Sequence, residues 1–256
     1  MKISIIGTGN VAYHLVKGFI KTNIKIDKVY GRNIEALKMF SQEFGVNITN
    51  DFTENKNSDI YILAVKDSAI ANAASWFKNM RVVHTAGALD SKILSFYTNC
   101  YGVFYPFYSF RKEYNIDWSE IPIFLESCCS KFDKLLEKLA NSLTKNYYFL
   151  SYKKRIYLHL SGVFVNNFVN HLLYHTKQIL EKQGLKFEWV YPLLEETIKN
   201  IKEFDPYQIQ TGPARRGDLI SISNHQRLLE KDKIIQEIYS TLSYSILNLY
   251  NNKKLD

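Results

Sequence analysis

Cysteine is scarce in this chain. Only Cys100, Cys128 and Cys129 occur in 256 residues. An odd number, two of them adjacent and none at metal-ligand spacing, argues against a disulfide framework and a zinc site. Reduced thiols in a cytoplasmic protein are expected, with no bound metal. No apolar run approaches the ~18 residues that would span a bilayer. The first apolar run, residues 3–6, lacks a basic flank and a small-residue cleavage site, so it reads as a strand rather than a signal peptide. Internal repeats and low-complexity linkers are also missing. Acid is outnumbered: 33 Lys and Arg face 25 Asp and Glu, a formal net charge of +8. The lysines are scattered, which points to a solvated basic surface rather than a nucleic-acid partner. Such a surface favours anionic small molecules.

What the chain does contain is ordinary for a globular protein. Hydrophobic residues make up 46% and charged residues 23%, enough to bury a core without disulfides. Residues 1–150 alternate short apolar strands with amphipathic helices, which predicts a doubly wound parallel sheet. From residue 151 the pattern turns all-helical. One proline-free helical pattern covers residues 153–183, with Gly184 as its stop. A second covers 187–204, starting near Val190 because of Pro192. A Gly/Pro loop spans 205–218, and two more helices follow. We therefore expect a Rossmann-like domain over 1–150 and a helical domain for substrate and dimerisation over 151–256.

The first strand runs into Gly7-Thr8-Gly9-Asn10-Val11-Ala12, a G-x-G-x-x-A turn that opens a helix. The first glycine permits the tight turn, the second lets a pyrophosphate approach the backbone, and Ala12 allows close helix–strand packing. The helix N-terminus then offers N–H groups and partial positive charge to phosphates. At the end of the second strand an acid would mark NAD, but the chain reads Gly31-Arg32-Asn33. Arg32 can pair with a 2′-phosphate and Asn33 can add a hydrogen bond, so NADP(H) is the expected cofactor.

Ligands of open α/β sheets lie outside the carboxyl ends of the strands. Ala64, Val65 and Lys66 follow the fourth strand and are expected to pass the ribose and nicotinamide. His84-Thr85-Ala86-Gly87 follows the fifth, with Ala86 and Gly87 on the cofactor and His84 and Thr85 toward substrate. His84 reads equally well as a hydrogen-bonded structural histidine. The aromatics of residues 101–106 read as core or pocket wall.

Several stretches coincide: "IIGTGNVAYHL", "VYGRN", "HTAGALD", "YGVFYPFYSF", "LHLSGVFVNNFVNHL", "PLLEETIKN" and "QTGPARRGD". Together they resemble the Rossmann-like oxidoreductases whose helical C-terminal half was long a domain of unknown function. The fold implied is similar to that of pyrroline-5-carboxylate reductase and the 6-phosphogluconate dehydrogenase superfamily. One branch holds the alternative (PanG-type) ketopantoate reductases. That resemblance implies NADPH-dependent reduction of 2-dehydropantoate to (R)-pantoate, on the route to pantothenate and coenzyme A. The nearest alternatives are an imine reductase and a non-catalytic NADP-binding sensor. Where many relatives carry His before Pro, this chain has Tyr105.

Reduction of a ketoacid needs a proton donor and a carboxylate anchor. His159 is the leading general acid, since its ordinary pKa suits proton transfer near neutrality. On a continuous α-helix His159, Asn166 and Asn170 share one face, with Asn167 about 80° away. The family pattern instead joins His159 to Asn167. Asn166 or Asn167 would hold the substrate oxygen. Arg215 and Arg216, in the Gly/Pro loop before Asp218, would suit the carboxylate. Glu195 and Glu196 read as a helix face. The partners expected are a small ketoacid and a second copy of the chain.

Overall fold

The computed structural model describes residues 1–251. The chain packs as two compact units, Met1–Phe168 and Val169–Asp256. The change from mixed α/β to all-helical comes earlier, at Ser151.

In the first unit, strands β1 (Lys2–Ile6), β2 (Lys25–Tyr30), β3 (Ile48–Thr49), β4 (Ile60–Leu63), β5 (Arg81–His84), β6 (Cys100–Pro106), β7 (Ile123–Ser127) and β8 (Tyr147–Phe149) form one sheet, in the order β3-β2-β1-β4-β5-β6-β7-β8. The first six are parallel. β7 then runs antiparallel to β6, and β8 is parallel to β7. The alternation of strand and helix predicted the parallel part. The reversal at β7 has no helix to announce it, since only loop and a 3₁₀ turn (Trp118–Glu120) separate β6 from β7.

Helices α1 (Asn10–Phe19), α2 (Ile34–Phe44), α3 (Ile70–Ala74) and α4 (Ser130–Asn141) cover the sheet. Asn33 caps α2 by accepting from the Ala36 N–H at 2.9 Å, and Gly45 ends it in the left-handed conformation. One sheet face packs Ile5, Val29, Ile62 and Leu125 under α1, α2 and α4. The other packs Ile6, Tyr30 and Leu63 under α3. Strand pairing sets His84 opposite Leu63, Val103 opposite His84, and Glu126 opposite Val103. The row that starts as core in β1 thus becomes polar at β5 and β7.

The first unit ends with α5 (Tyr152–Gly162) and a π-helical turn, Val163–Phe168. The second unit holds α6 (Val169–Glu181), α7 (Tyr191–Glu203), two short helices α8 (Pro206–Ile209) and α9 (Pro213–Arg216), α10 (Leu219–Leu228) and α11 (Lys233–Asn251). The single helix expected over 153–183 is therefore interrupted by i→i+5 winding, and the loop 205–218 contains two helical turns. Among the described residues, no helix is long and apolar enough to cross a membrane.

Candidate functional site

The phosphate turn has the shape its sequence demands. Gly7 sits at φ +129°, where an added Cβ would lie 2.2 Å from the Ala64 carbonyl oxygen, so only glycine fits between β1 and β4. Gly9 is the N-cap of α1, no side chain caps that end, and a Cβ there would meet nothing within 4 Å. Open space and unsatisfied N–H groups at a helix N-terminus fit a pyrophosphate. Asn10 donates its side-chain amide to the Phe110 carbonyl at 3.0 Å and so ties down the loop after β6. Arg32 is exposed just beyond β2, with no ion pair among the described residues. Asn33 spends its carbonyl on the α2 cap and keeps its amide donors. These residues fit a 2′-phosphorylated dinucleotide.

Two strands further along, the turn after β5 gathers polar groups from across the first unit. His84 is wholly buried and accepts the Ala86 N–H at Nδ1, 3.2 Å away. Burial, then the Arg155 cation, push its pKa down to about 4. With no exposed atom, the ring is placed to hold the turn rather than to meet a substrate. The Thr85 N–H donates to the Leu63 carbonyl at 3.2 Å, and its hydroxyl also reaches that oxygen, 3.4 Å away.

Gly87 is the seat of the site. A Cβ at this residue would lie 2.6 Å from His159 Nδ1 and 2.7 Å from the Tyr105 hydroxyl. Those two groups are hydrogen-bonded to each other at 3.0 Å. β6 brings Tyr105 to the carboxyl edge of the sheet, and α5 brings His159 over it. Burial pushes Tyr105 up to about 12, so its hydroxyl stays protonated at neutral pH. His159 Nε2 makes no hydrogen bond among the described residues.

One turn before His159 on α5, Arg155 is completely buried. Its Nε donates to the Gly87 carbonyl at 3.2 Å, and Nη2 to the Leu89 carbonyl at 2.5 Å. Nη1 pairs with Glu126 of β7, whose other oxygen accepts from the Ser91 hydroxyl at 2.5 Å. Arg155 and Glu126 therefore bind α5, the 87–91 loop and β7 into one frame beneath the Tyr105–His159 pair.

Asn166 and Asn167 lie in the π turn, exposed, and their side chains make no hydrogen bond among the described residues. The π winding breaks the 100° spacing on which the shared face of His159 and Asn166 was reckoned. Arg215 and Arg216 belong to the second unit. Arg215 stacks on the Tyr250 ring at 4.3 Å, while Asp218 caps α10 through the Ser221 N–H at 3.0 Å. Sequence reasoning took Tyr105 for pocket wall and passed over Arg155 and Glu126. A signal for Arg155 existed, since it precedes His159 by four residues and must share its helix face. Glu126 carries none, because its pairing depends on the reversal of β7.

Two family models match the chain: "NADP oxidoreductase coenzyme F420-dependent" over residues 2–84 and "Domain of unknown function (DUF2520)" over 121–246. A Bacteroides fragilis protein described as a candidate NADP oxidoreductase is 34% identical, with a TM-score of 0.89 over 96% of this chain and 98% of that one. Pyrroline-5-carboxylate reductase of Coxiella burnetii is 18% identical, with a TM-score of 0.55 over 98% of this chain and 97% of that one. A reductive aminase of Aspergillus terreus, in complex with NADPH and ethyl levulinate, is 12% identical, with a TM-score of 0.75 over 96% and 92% of the respective chains. No curated protein matches the chain. With a nucleotide turn of the right shape and both halves matched, the chain belongs to the NADP oxidoreductases that join a Rossmann-like domain to a DUF2520 helical domain, and its cofactor is NADP(H).

Proposed function

We propose that this NADP-dependent oxidoreductase reduces the C=N bond of a small imine, with Tyr105 and His159 delivering the proton. The observation that carries the reading is the 3.0 Å Tyr105–His159 hydrogen bond over Gly87, at the carboxyl edge that serves the nucleotide. Residues 7–11 would hold the pyrophosphate, and Arg32 and Asn33 the 2′-phosphate. Ala64, Val65, Lys66, Ala86 and Gly87 would flank the ribose and nicotinamide. Bound NADPH supplies the hydride. The Tyr105 hydroxyl, donating to His159 Nδ1, fixes the tautomer that carries its proton on Nε2. That free N–H is the general acid, and the free amides of Asn166 and Asn167 orient the substrate. Fold similarity to pyrroline-5-carboxylate reductase and a reductive aminase supports a C=N substrate.

A second reading is reduction of 2-dehydropantoate to (R)-pantoate. The Nε2–H of His159 serves this reaction equally, because a ketone becomes an alkoxide that must be protonated. NADPH oxidation by the purified protein, run against cyclic imines and 2-ketoacids in parallel, separates the two. Faster turnover of 1-pyrroline-5-carboxylate than of 2-dehydropantoate is expected, and the reverse order selects the second reading. In either case His159→Ala lowers kcat by about 10²–10⁴-fold, the range for loss of a positioned proton donor, and leaves NADPH binding intact. Wild-type kcat in this variant would remove α5 from the chemistry.

The helical unit supports a homodimer. Of its described residues only Ala214, Ile235 and Ser243 are buried, while Trp189, Leu193, Ile220 and Leu228 are between 65% and 82% exposed. Helices gain most of their stability from burying an apolar face. A second copy of the chain offers the matching surface.

A further inference from the structure

The loop after β6, residues 107–117, does not hang free at the edge of the sheet. It lies along α1, the helix whose N-terminus fits the pyrophosphate. Asn10, His14 and Lys17 occupy one side of that helix, at three- and four-residue spacing, and each holds the loop at a different point. Asn10 donates to the Phe110 carbonyl at 3.0 Å, His14 Nε2 to the Arg111 carbonyl at 2.7 Å, and Lys17 Nζ to Asn115 Oδ1 at 3.5 Å. The Phe110 ring packs against both His14 and Trp118, with centroids 5.4 and 5.8 Å away. Lys112 then crosses to α2, its Nζ 5.7 Å from the centres of the Tyr13 and Phe40 rings.

His14 is the buried member of this row, with none of its surface exposed. A carbonyl only accepts, so Nε2 carries the ring proton. Burial pushes the His14 pKa below the ordinary histidine value, and the ring is therefore a neutral donor at physiological pH. A buried polar side chain costs stability unless its hydrogen bond is made. Packing alone would be met by leucine, so the imidazole is there for the Arg111 carbonyl. That bond sits next to the Phe110–Asn10 bond at the first residue of α1. Ser109, exposed and with its hydroxyl free of hydrogen bonds among the described residues, immediately precedes Phe110. A hydroxyl is thus held close to a helix N-terminus that favours phosphate.

We propose that residues 107–117 form a clasp at the pyrophosphate end of the nucleotide site, and that His14 is the positioning residue that seats it. His14 touches no nucleotide and acts through Arg111 and Phe110. The seated clasp walls off one side of the first turn of α1. Water is kept from the phosphate contacts there, which strengthens them. The pyrophosphate is common to both nucleotides, so the clasp serves NADPH and NADH alike, whereas Arg32 serves only the 2′-phosphate. The inference uses the cofactor site alone and stands apart from the choice of substrate.

The test measures NADPH and NADH binding to the full-length protein by calorimetry, in wild type, His14→Leu and His14→Gln. Leucine keeps the buried volume and removes the donor, whereas glutamine returns an N–H at a similar reach. His14→Leu should weaken both nucleotides by the same factor, about tenfold, the scale for a buried carbonyl left without its donor. His14→Gln should recover most of that loss. Hydrogen exchange read by mass spectrometry gives the second measurement: NADPH should slow exchange over residues 107–117 in wild type and His14→Gln, and not in His14→Leu. Urea midpoints are taken alongside. If His14→Leu does not fold, Phe110→Ala, which loosens the clasp from outside the core, should show the same loss for both nucleotides. Wild-type affinity in the loosened variant, a loss confined to NADPH, an equal loss in His14→Gln, or exchange over 107–117 that NADPH does not slow overturns the proposal.

Discussion

The two units solve the problem of apolar surface in different ways. The first closes its own core: both faces of its sheet carry contiguous clusters of buried residues, from Ile3 through Ala140 on one side and from Ile6 through Leu94 on the other. The second, drawn from the same chain and just as rich in leucine, isoleucine and aromatics, buries almost none of them within the described residues. Hydrophobic content alone therefore says little about self-sufficiency. A sheet covered by helices turns it inward, whereas a string of helices needs another surface to finish the job.

The sharpest way to break the first unit is through its buried ion pair. Arg155→Met leaves Glu126 without its cation and should cost about 3–5 kcal/mol, measured as a fall in the urea midpoint. Replacing Glu126 by Gln in the same chain should return part of that loss, because the orphaned charge is gone. An unchanged midpoint in the single variant would mean that the pair is open in solution.

Matched apolar substitutions sharpen the contrast between the units. Leu63→Ala, in the core of the first, should cost about 2–5 kcal/mol at any protein concentration. Leu193→Asp, on the second, should change the mass seen by light scattering instead, converting the proposed dimer into a 29.9 kDa monomer. A variant that keeps the wild-type mass would show that this face is not where copies meet.

His84 gives the first unit a pH dependence. Its folded pKa of about 4 lies below the ordinary 6.5, so the unfolded ring takes up a proton first as pH falls. Stability should therefore drop between pH 6.5 and pH 4 and level off below, with a total near 3 kcal/mol at about 1.4 kcal/mol per pKa unit. His84→Gln should flatten that slope, and a slope that survives the substitution would assign it to another group. The smallest effect is expected at the nucleotide. Arg32→Ala should weaken NADPH by about 1.5–3 kcal/mol, the range for a charged hydrogen bond, and leave NADH binding unchanged by calorimetry. Equal losses for both nucleotides would take Arg32 off the 2′-phosphate.

Much of the first unit could be read in advance because its signals are local. Gly7 is required by the turn it occupies, Asn33 and Gly45 bracket α2 as caps do, and the parallel strands follow from strand–helix alternation. The Tyr105–His159 pair could be read only by half. His159 advertises itself by residue type, but its partner Tyr105 is 54 positions away and becomes visible only when α5 is laid across β6. The π turn was hidden for a different reason: its residues, "VFVNNF", keep an apolar character that an uninterrupted α-helix would share. Arg155 and Glu126 are joined by a fold that places one on a helix and the other on a reversed strand.

One consequence concerns mutation at position 87. The pair that rests there leaves no room for even a methyl group, with side-chain atoms of Tyr105 and His159 only 2.5–2.7 Å from where it would sit. Alanine at this residue would act as an inhibitor built into the gene. It would prise the dyad apart while the sheet, both cores and the nucleotide turn stay as they are. Under the proposed mechanism such an allele would make a folded, cofactor-loaded and silent protein.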